Sequence, residues 1–518
     1  MNLLASRGIH KIHSKEDPFP VIYLGFPLLH STRQRSYFFA DFIHKLESTA
    51  LLHSTRNVSI LGRATIATSL ILSQCWYVLR VTPVTLSDLQ KIQSVVSRFI
   101  NKKIFPKLSW DVITAPKING GLGVIDPTVQ HKALVFRWVD PILFTRDRAS
   151  SIHLYITAHI QNRCSSDNIN ITLLFPQSRL SSRFQGLTSV DMFLRSMDSI
   201  PRRFQLSEPN PVECLLLPLP AILSSSYPPG NFKLSKKLRQ VSVEMVFNYH
   251  PSTHFLTRKD PNDISPNLKI VTKKLFTAID RNSALLEPFF QKCLVPSSLN
   301  LFTNSSRTHI QHNHLNFRSF KTHLQLDTSL DPDDESTSTK AFRLAIKQQH
   351  YSSTISAFYW KKFWRLSLLY VQRNVIYRLV YHKIPHMKLL HRLQPSKFPT
   401  ALCSICSQHA DSTSHFFFTC PRKLPFWEKL INEFLWPTTR TSDILNAFTY
   451  LNFSRVRLQS AFTHISSDVV LYIALSELWK AHWRCVFNNR PFTSDLVLSS
   501  TRYSVARWSQ EEELPRRL

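Results

Sequence analysis

Four metal-seeking side chains fall within eighteen residues: Cys403, Cys406, His415 and Cys420, spaced C-x2-C-x8-H-x4-C. A C-x2-C turn aims two thiolates at one ion, and a later His and Cys supply the remaining corners of the tetrahedron that zinc prefers. Closing such a cage fixes the local path of the chain. The loop from Ser407 to Ser414 is short and polar, and Phe416, Phe417 and Phe418 provide the apolar packing that a small metal module otherwise lacks. His409, inside the loop, is an alternative donor. Four donors this close together, in a chain with only eight cysteines, predict a structural Zn2+ site.

Charge indicates what the chain meets. Lys and Arg number 64 against 34 Asp and Glu, a formal charge of +30, so a polyanion is the expected partner, and nucleic acid is the common one. Aromatic residues make up 12% and suit stacking on unpaired bases as well as packing in a core. Of the tryptophans, Trp360, Trp364 and Trp427 have helical neighbours and are expected to be core anchors. A length of 518 residues with 43% hydrophobic content predicts several domains with real cores.

The longest apolar tract, Ile66 to Leu79, is interrupted by Thr68, Ser69, Ser73 and Gln74 and is shorter than the ~20 residues that span a bilayer. The first residues lack the apolar run of a secretory signal. Cys75, Cys164, Cys214, Cys293 and Cys485 are isolated, as reduced thiols of an intracellular protein would be. No membrane partner and no small-molecule substrate are expected, and the nucleus or cytoplasm is the expected location.

Only eight glycines occur, which favours long helices and a mainly α fold. Ile22 to Leu28 reads as a strand and turn. Apolar periodicity then predicts helices over Tyr37–Leu52, Val58–Leu79 and Leu86–Ile100, which together make a compact bundle. Three glycines cluster at Gly120, Gly121 and Gly123. No Lys-Ser or Lys-Thr follows at a phosphate-loop spacing, and Asp126 replaces the third glycine of a dinucleotide fingerprint, so a tight turn feeding a helix near Thr128 is expected.

The order of segments resembles a known family. YLGFPL, NVSILGRATIATSLILSQCWYVLRVTP and PKINGGLGVIDPTVQHKALVFRW look like the thumb and connector of LINE-type (non-LTR) retrotransposon reverse transcriptases. FWRLSLLYVQRNVIYRLVYHKIPHMKLLHRL followed by CSICSQHADSTSHFFFTCPRKLPFW is similar to the reverse transcriptase zinc-binding domain of those polyproteins. The resemblance implies that Cys403, Cys406, His415 and Cys420 bind zinc and that element RNA and target DNA are the partners. Together with the Ser, Thr, His, Asn and Asp content of 299–340, which reads as a flexible linker, and the apolar periodicity of the tail, it divides the chain into a palm-end strand and thumb-like bundle (1–110), a helical connector (111–298), that linker, a small helical zinc-binding domain (341–440) and a C-terminal helix and tail (441–518).

Polymerisation in that family needs paired palm aspartates to hold two divalent cations. The adjacent pair here, Asp333-Asp334, lies in a polar, Pro-containing run without strand character, after the thumb-like segment. The resemblance therefore implies a polymerase without its front: no catalytic residues, and no chemistry alone. A stand-alone zinc-dependent nucleic-acid-binding protein derived from such an element is the alternative. A zinc hydrolase fits least, because no carboxylate stands beside the donors in an HExxH manner.

The expected phosphate contacts are Arg33, Arg35, Arg56, Arg63, Lys102 and Lys103 on the N-terminal bundle, and Lys361, Lys362, Arg365, Arg373, Arg378, Lys383, Arg422 and Lys423 around the zinc module. A further basic cluster, Lys233, Lys236, Lys237 and Arg239, reads equally well as a solvated helix face. An amphipathic helix is expected over Asp468–Phe487, and a frayed end over Glu511–Leu518.

Overall fold

The computed structural model describes residues 13–102, 106–144, 151–162, 168–179, 188–199, 204, 206–224, 233–296, 315, 317–322, 339–346, 353–462 and 465–517. It is mainly helical, and the strands form two two-stranded antiparallel hairpins. The chain folds into two compact units that do not follow the sequential division above. One gathers Met1–Cys75, Leu86–Pro127 and Gln349–Leu518, and the other Trp76–Thr85 and Thr128–Gln348. Apart from residues 76–85 and 341–348, the segments expected to form the thumb-like bundle and the zinc module thus belong to a single unit.

That first unit begins with the expected strand and turn. Val21–Tyr23 pairs with Phe26–Leu28 through Leu24 (φ 49°) and Gly25 (φ 83°), two successive left-handed residues whose twist suits a two-residue hairpin. Helix Thr32–Ser54 follows, its first turn capped by Ser31 Oγ, which accepts from Gln34 N at 3.2 Å. It buries Phe39, Phe42, Leu46 and Ala50 against helix Leu86–Asn101, which presents Leu89, Ile92, Val96 and Ile100.

The helix expected over Val58–Leu79 is three pieces: Ile60–Ile66, a π-helical turn Ala67–Ile71 and Ser73–Val81. Hydroxyls bond back onto the preceding turn, Ser69 to Thr65 O at 2.7 Å and Ser73 to Ser69 O at 2.6 Å, and such back-bonding bends a helix. The polar residues that interrupt the apolar tract therefore also break its regularity.

The C-terminal part of this unit is built around helix Ser467–Asn488, buried on nearly every side from Asp468 to Leu478, as a central core helix must be. Helix Tyr370–Val380 packs on it, and so does Ser494–Arg517. The segment expected to fray is thus the continuation of that last helix, through Arg517. Trp360 and Trp427 are buried core anchors, as expected.

The Gly120 turn lies in this unit as well. Trp364 Nε1 donates to Lys117 O at 3.0 Å, and Tyr377 and Tyr381 donate to Gly120 O at 2.8 and 3.0 Å. Gly120 has φ +86°, and a methyl group there would sit 2.4 Å from the Trp360 ring. At Gly121 it would sit 2.0 Å from Ala115 O. Close backbone approach, not phosphate binding, accounts for these glycines.

The second unit has an aromatic core. Phe136 meets Phe342 edge-on at 4.3 Å between centroids, and Phe175, Phe204 and Phe289 surround Phe320 at 5.2–5.4 Å. Strands Phe247–His250 and Phe255–Arg258 pair in this unit, and helix Pro266–Asp280 follows them. Residues 76–85 join it because His131 Nδ1 bonds Leu79 O and Trp138 Nε1 bonds Arg80 O, both at 3.0 Å.

The linker expected over 299–340 is corrected in part. Within it, Arg318–Thr322 is helical, and Phe317 and Phe320 are fully buried in the core. Asp333, Asp334 and most of that stretch lie outside the described residues, as do Cys164 and Lys103.

Candidate metal centre

Local geometry brings the four donors together from two sides. Cys403 and Cys406 flank a tight turn in which Ser407 N donates to Cys403 O at 2.8 Å, with Ser407 left-handed at φ 55°. Ile405 N donates to Cys403 Sγ at 3.4 Å, an amide aimed at the sulfur that stabilises thiolate. The returning strand closes the loop: Leu402 bridges Ala410, Asp411 N donates to Ala401 O, and His409 O accepts from Cys403 N, both at 2.9 Å. His415 then opens a π-helical turn, His415–Thr419, that ends at Cys420.

The ligand atoms of Cys403, Cys406, His415 and Cys420 all lie within 4.8 Å of one another. His415 Nε2 is 3.4 Å from Cys406 Sγ. Tetrahedral bonds of ~2.3 Å to sulfur and ~2.0 Å to nitrogen place donors roughly 3.5–4 Å apart, so the cluster has the dimensions of a metal cage. These four residues could hold a metal ion. His409 holds the loop through its backbone, and its exposed ring is not a member of the cluster.

The thiols share their protons unequally. The Cys420 thiol donates to Cys403, and with the amides of Ile405 and Cys406 this pushes the Cys403 thiol down to about 4. The same bond, together with burial, pushes Cys420 strongly up.

Packing behind the donors is aromatic. Phe416, Phe417 and Phe418 are buried; Phe416 lies 4.0 Å from the His482 ring, Phe418 stacks on Trp427 at 5.3 Å, and Trp427 Nε1 donates to Phe417 O at 2.7 Å. The three phenylalanines are thus the hydrophobic anchor that the sequence suggested. The signal that sequence reading missed is His482, far along the chain, which accepts from the buried Lys423 ammonium at 2.9 Å.

The basic residues separate into two groups. Arg33, Arg56, Lys102, Lys361, Arg365 and Arg422 are exposed, Arg35 and Lys383 are half-buried, and the exposed Lys362 pairs with the buried Asp468 at 2.8 Å. Four others are buried and serve the fold instead. Arg63 donates to Ile100 O at 2.7 Å and Val58 O at 3.0 Å, and Arg378 to Pro106 O at 2.9 Å. Arg373 donates to Leu366 O at 2.6 Å, and Lys423 to Phe416 O at 2.5 Å. Carbonyls left open at turns and helix ends take up these cations, and burial lowers all four from their ordinary values.

Comparison with protein-family models and with curated proteins finds no match. Among the described residues, no single helix is long and apolar enough to cross a membrane; the pair Ile60–Ile71 and Ser73–Val81 reaches that length only across a bend.

Proposed function

We propose that this chain is the thumb-like, connector and zinc-binding portion of a LINE-type reverse transcriptase, holding template RNA and target DNA rather than forming phosphodiester bonds. The observation that carries the reading is the Cys403, Cys406, His415 and Cys420 cluster, at the positions where the resemblance implies zinc ligands. A cage of four protein donors leaves no open coordination position, so the ion fastens the fold and does not activate water. That property separates the reading from a zinc hydrolase. The hairpin followed by a helical bundle supports it, as does the formal charge of +30. Phosphates would meet the exposed residues, Arg33, Arg56, Lys102, Lys361, Arg365 and Arg422.

The test uses the full chain. We expect about one zinc per chain, lost in Cys406→Ser and His415→Ala, and nucleic-acid affinity that falls steeply with salt. Primer extension with Mg2+ and nucleotides should give no product. Zinc retained by both variants, a flat salt response or template-dependent synthesis would each refute the proposal.

A further inference from the structure

A cleft of about 970 Å3 opens beside the metal loop, within the unit that contains the cluster. Its size is that of small-ligand sites, roughly 300–1,000 Å3. The floor is apolar, made by Ile355, Leu379, Leu445 and Phe448. The rim is basic: Lys388 and Arg392 stand four residues apart on helix Met387–Leu393, both exposed, with the exposed His382 near them in the lining. Like charges at that spacing repel, and among the described lining residues there is no Asp or Glu to offset them.

Two other histidines in the lining are already engaged. His386 Nδ1 accepts from Leu389 N at 3.2 Å, and His391 Nδ1 bonds Phe398 O at 2.7 Å. They shape the walls and leave Lys388 and Arg392 as the cations facing solvent.

One wall belongs to the metal loop. Ser412 Oγ accepts from His415 N at 3.1 Å and contacts Ser414 Oγ at 3.0 Å, so a lining hydroxyl fixes the backbone of a metal donor. Asp411 ties the loop to the rim helix, its Oδ2 accepting from Met387 N at 2.8 Å and its carbonyl from Lys388 N at 3.2 Å. The metal loop and the cationic rim are therefore joined directly through Asp411.

We propose that this cleft binds a short unpaired stretch of nucleic acid, with phosphates on Lys388 and Arg392 and a base against the floor at Leu445 and Phe448. Cationic rim and apolar floor together match the two faces of a nucleotide, and a base reaches such a floor only when it is unpaired. The inference rests on the nucleic-acid reading above and adds the place and the strand state.

Binding of labelled single-stranded RNA of about 15 nucleotides, and of a duplex of the same length, would be followed by fluorescence anisotropy on the full zinc-loaded chain. Two variants are compared with wild type: Lys388→Glu with Arg392→Glu, and Thr449→Trp, which fills the mouth from an exposed lining position. Each should weaken single-strand binding about tenfold or more while changing duplex binding less, with zinc content and melting temperature unchanged. A 4-thiouridine in the strand should crosslink within 379–392 or 441–450. Wild-type binding by both variants, or equal loss for single strand and duplex, overturns the cleft and leaves the general nucleic-acid reading standing. Absence of any binding by wild type overturns both.

Discussion

The Tyr377 hydroxyl donates to the Gly120 carbonyl across 2.8 Å, joining residues 257 positions apart. Around this bond Trp360 stacks on Trp364 and on Tyr381, with centroids 5.9 and 6.0 Å apart. The glycine turn is thus the seat of an aromatic cluster that follows it by more than two hundred residues.

Gly120→Ala should destabilise this unit by about 3 kcal/mol, because the added methyl meets Trp360 in a left-handed backbone. Tyr377→Phe should cost about 1 kcal/mol, since Tyr381 still donates to the same carbonyl. Denaturant unfolding of both variants orders the two effects, and equal midpoints would contradict the packing argument.

Removing the metal from the loaded protein should loosen 403–420 first. Amide exchange there is expected to accelerate on chelation, together with residues 387–390, which Asp411 ties to the loop. Helix Leu86–Asn101 should keep its protection. Unchanged exchange at Cys403 and His415 would mean that the cage does not organise the loop.

Arg63 and Arg33 should fail in opposite ways. Arg63→Gln removes buried charged hydrogen bonds to Ile100 O and Val58 O and is expected to cost about 2–3 kcal/mol of stability. Arg33→Gln should leave stability unchanged and, on the proposed nucleic-acid reading, reduce the salt dependence of binding by roughly one phosphate contact. Paired melting and salt titrations distinguish the two roles.

Glu213 fastens residues 317–319 to the second unit, its carboxylate accepting from Phe317 N at 3.0 Å and Ser319 Oγ at 2.8 Å. Glu213→Ala should cost about 2–3 kcal/mol and expose that segment to limited proteolysis. A cleavage pattern identical to wild type would show that Phe317 and Phe320 hold the segment without it.

Arg258 holds Asp280 through two hydrogen bonds, 2.7 and 3.1 Å, and depresses its carboxyl pKa. A carboxyl depressed in the folded state adds stability above its unfolded value of about 3.9, and loses it as pH falls through the folded value. The pair is exposed, so the effect is small. Arg258→Gln should flatten the acid limb of the second unit's stability curve, and an unaltered limb would show that the pair contributes nothing.

Patterns of local origin were legible in the sequence. The helical periodicity of Leu86–Asn101, the strand and turn at Ile22–Leu28 and the metal spacing all arise from neighbours a few residues apart, whose side-chain directions the backbone fixes. The same spacing could not show that His482 packs on Phe416, nor that Lys423, between Arg422 and Leu424, turns inward. A basic residue reads alike in sequence whether it meets water or a buried carbonyl.

The sequence alone determined a mainly helical chain, a strongly cationic balance and four donors at one site, because composition and short-range spacing suffice for each. Tertiary structure decided that Met1–Cys75, Leu86–Pro127 and Gln349–Leu518 share one unit, and that Phe317 and Phe320 belong to a core. It also decided that Arg63, Arg373, Arg378 and Lys423 support the fold. These outcomes depend on which distant backbone carbonyls and aromatic faces close packing leaves within reach, and no local pattern encodes that.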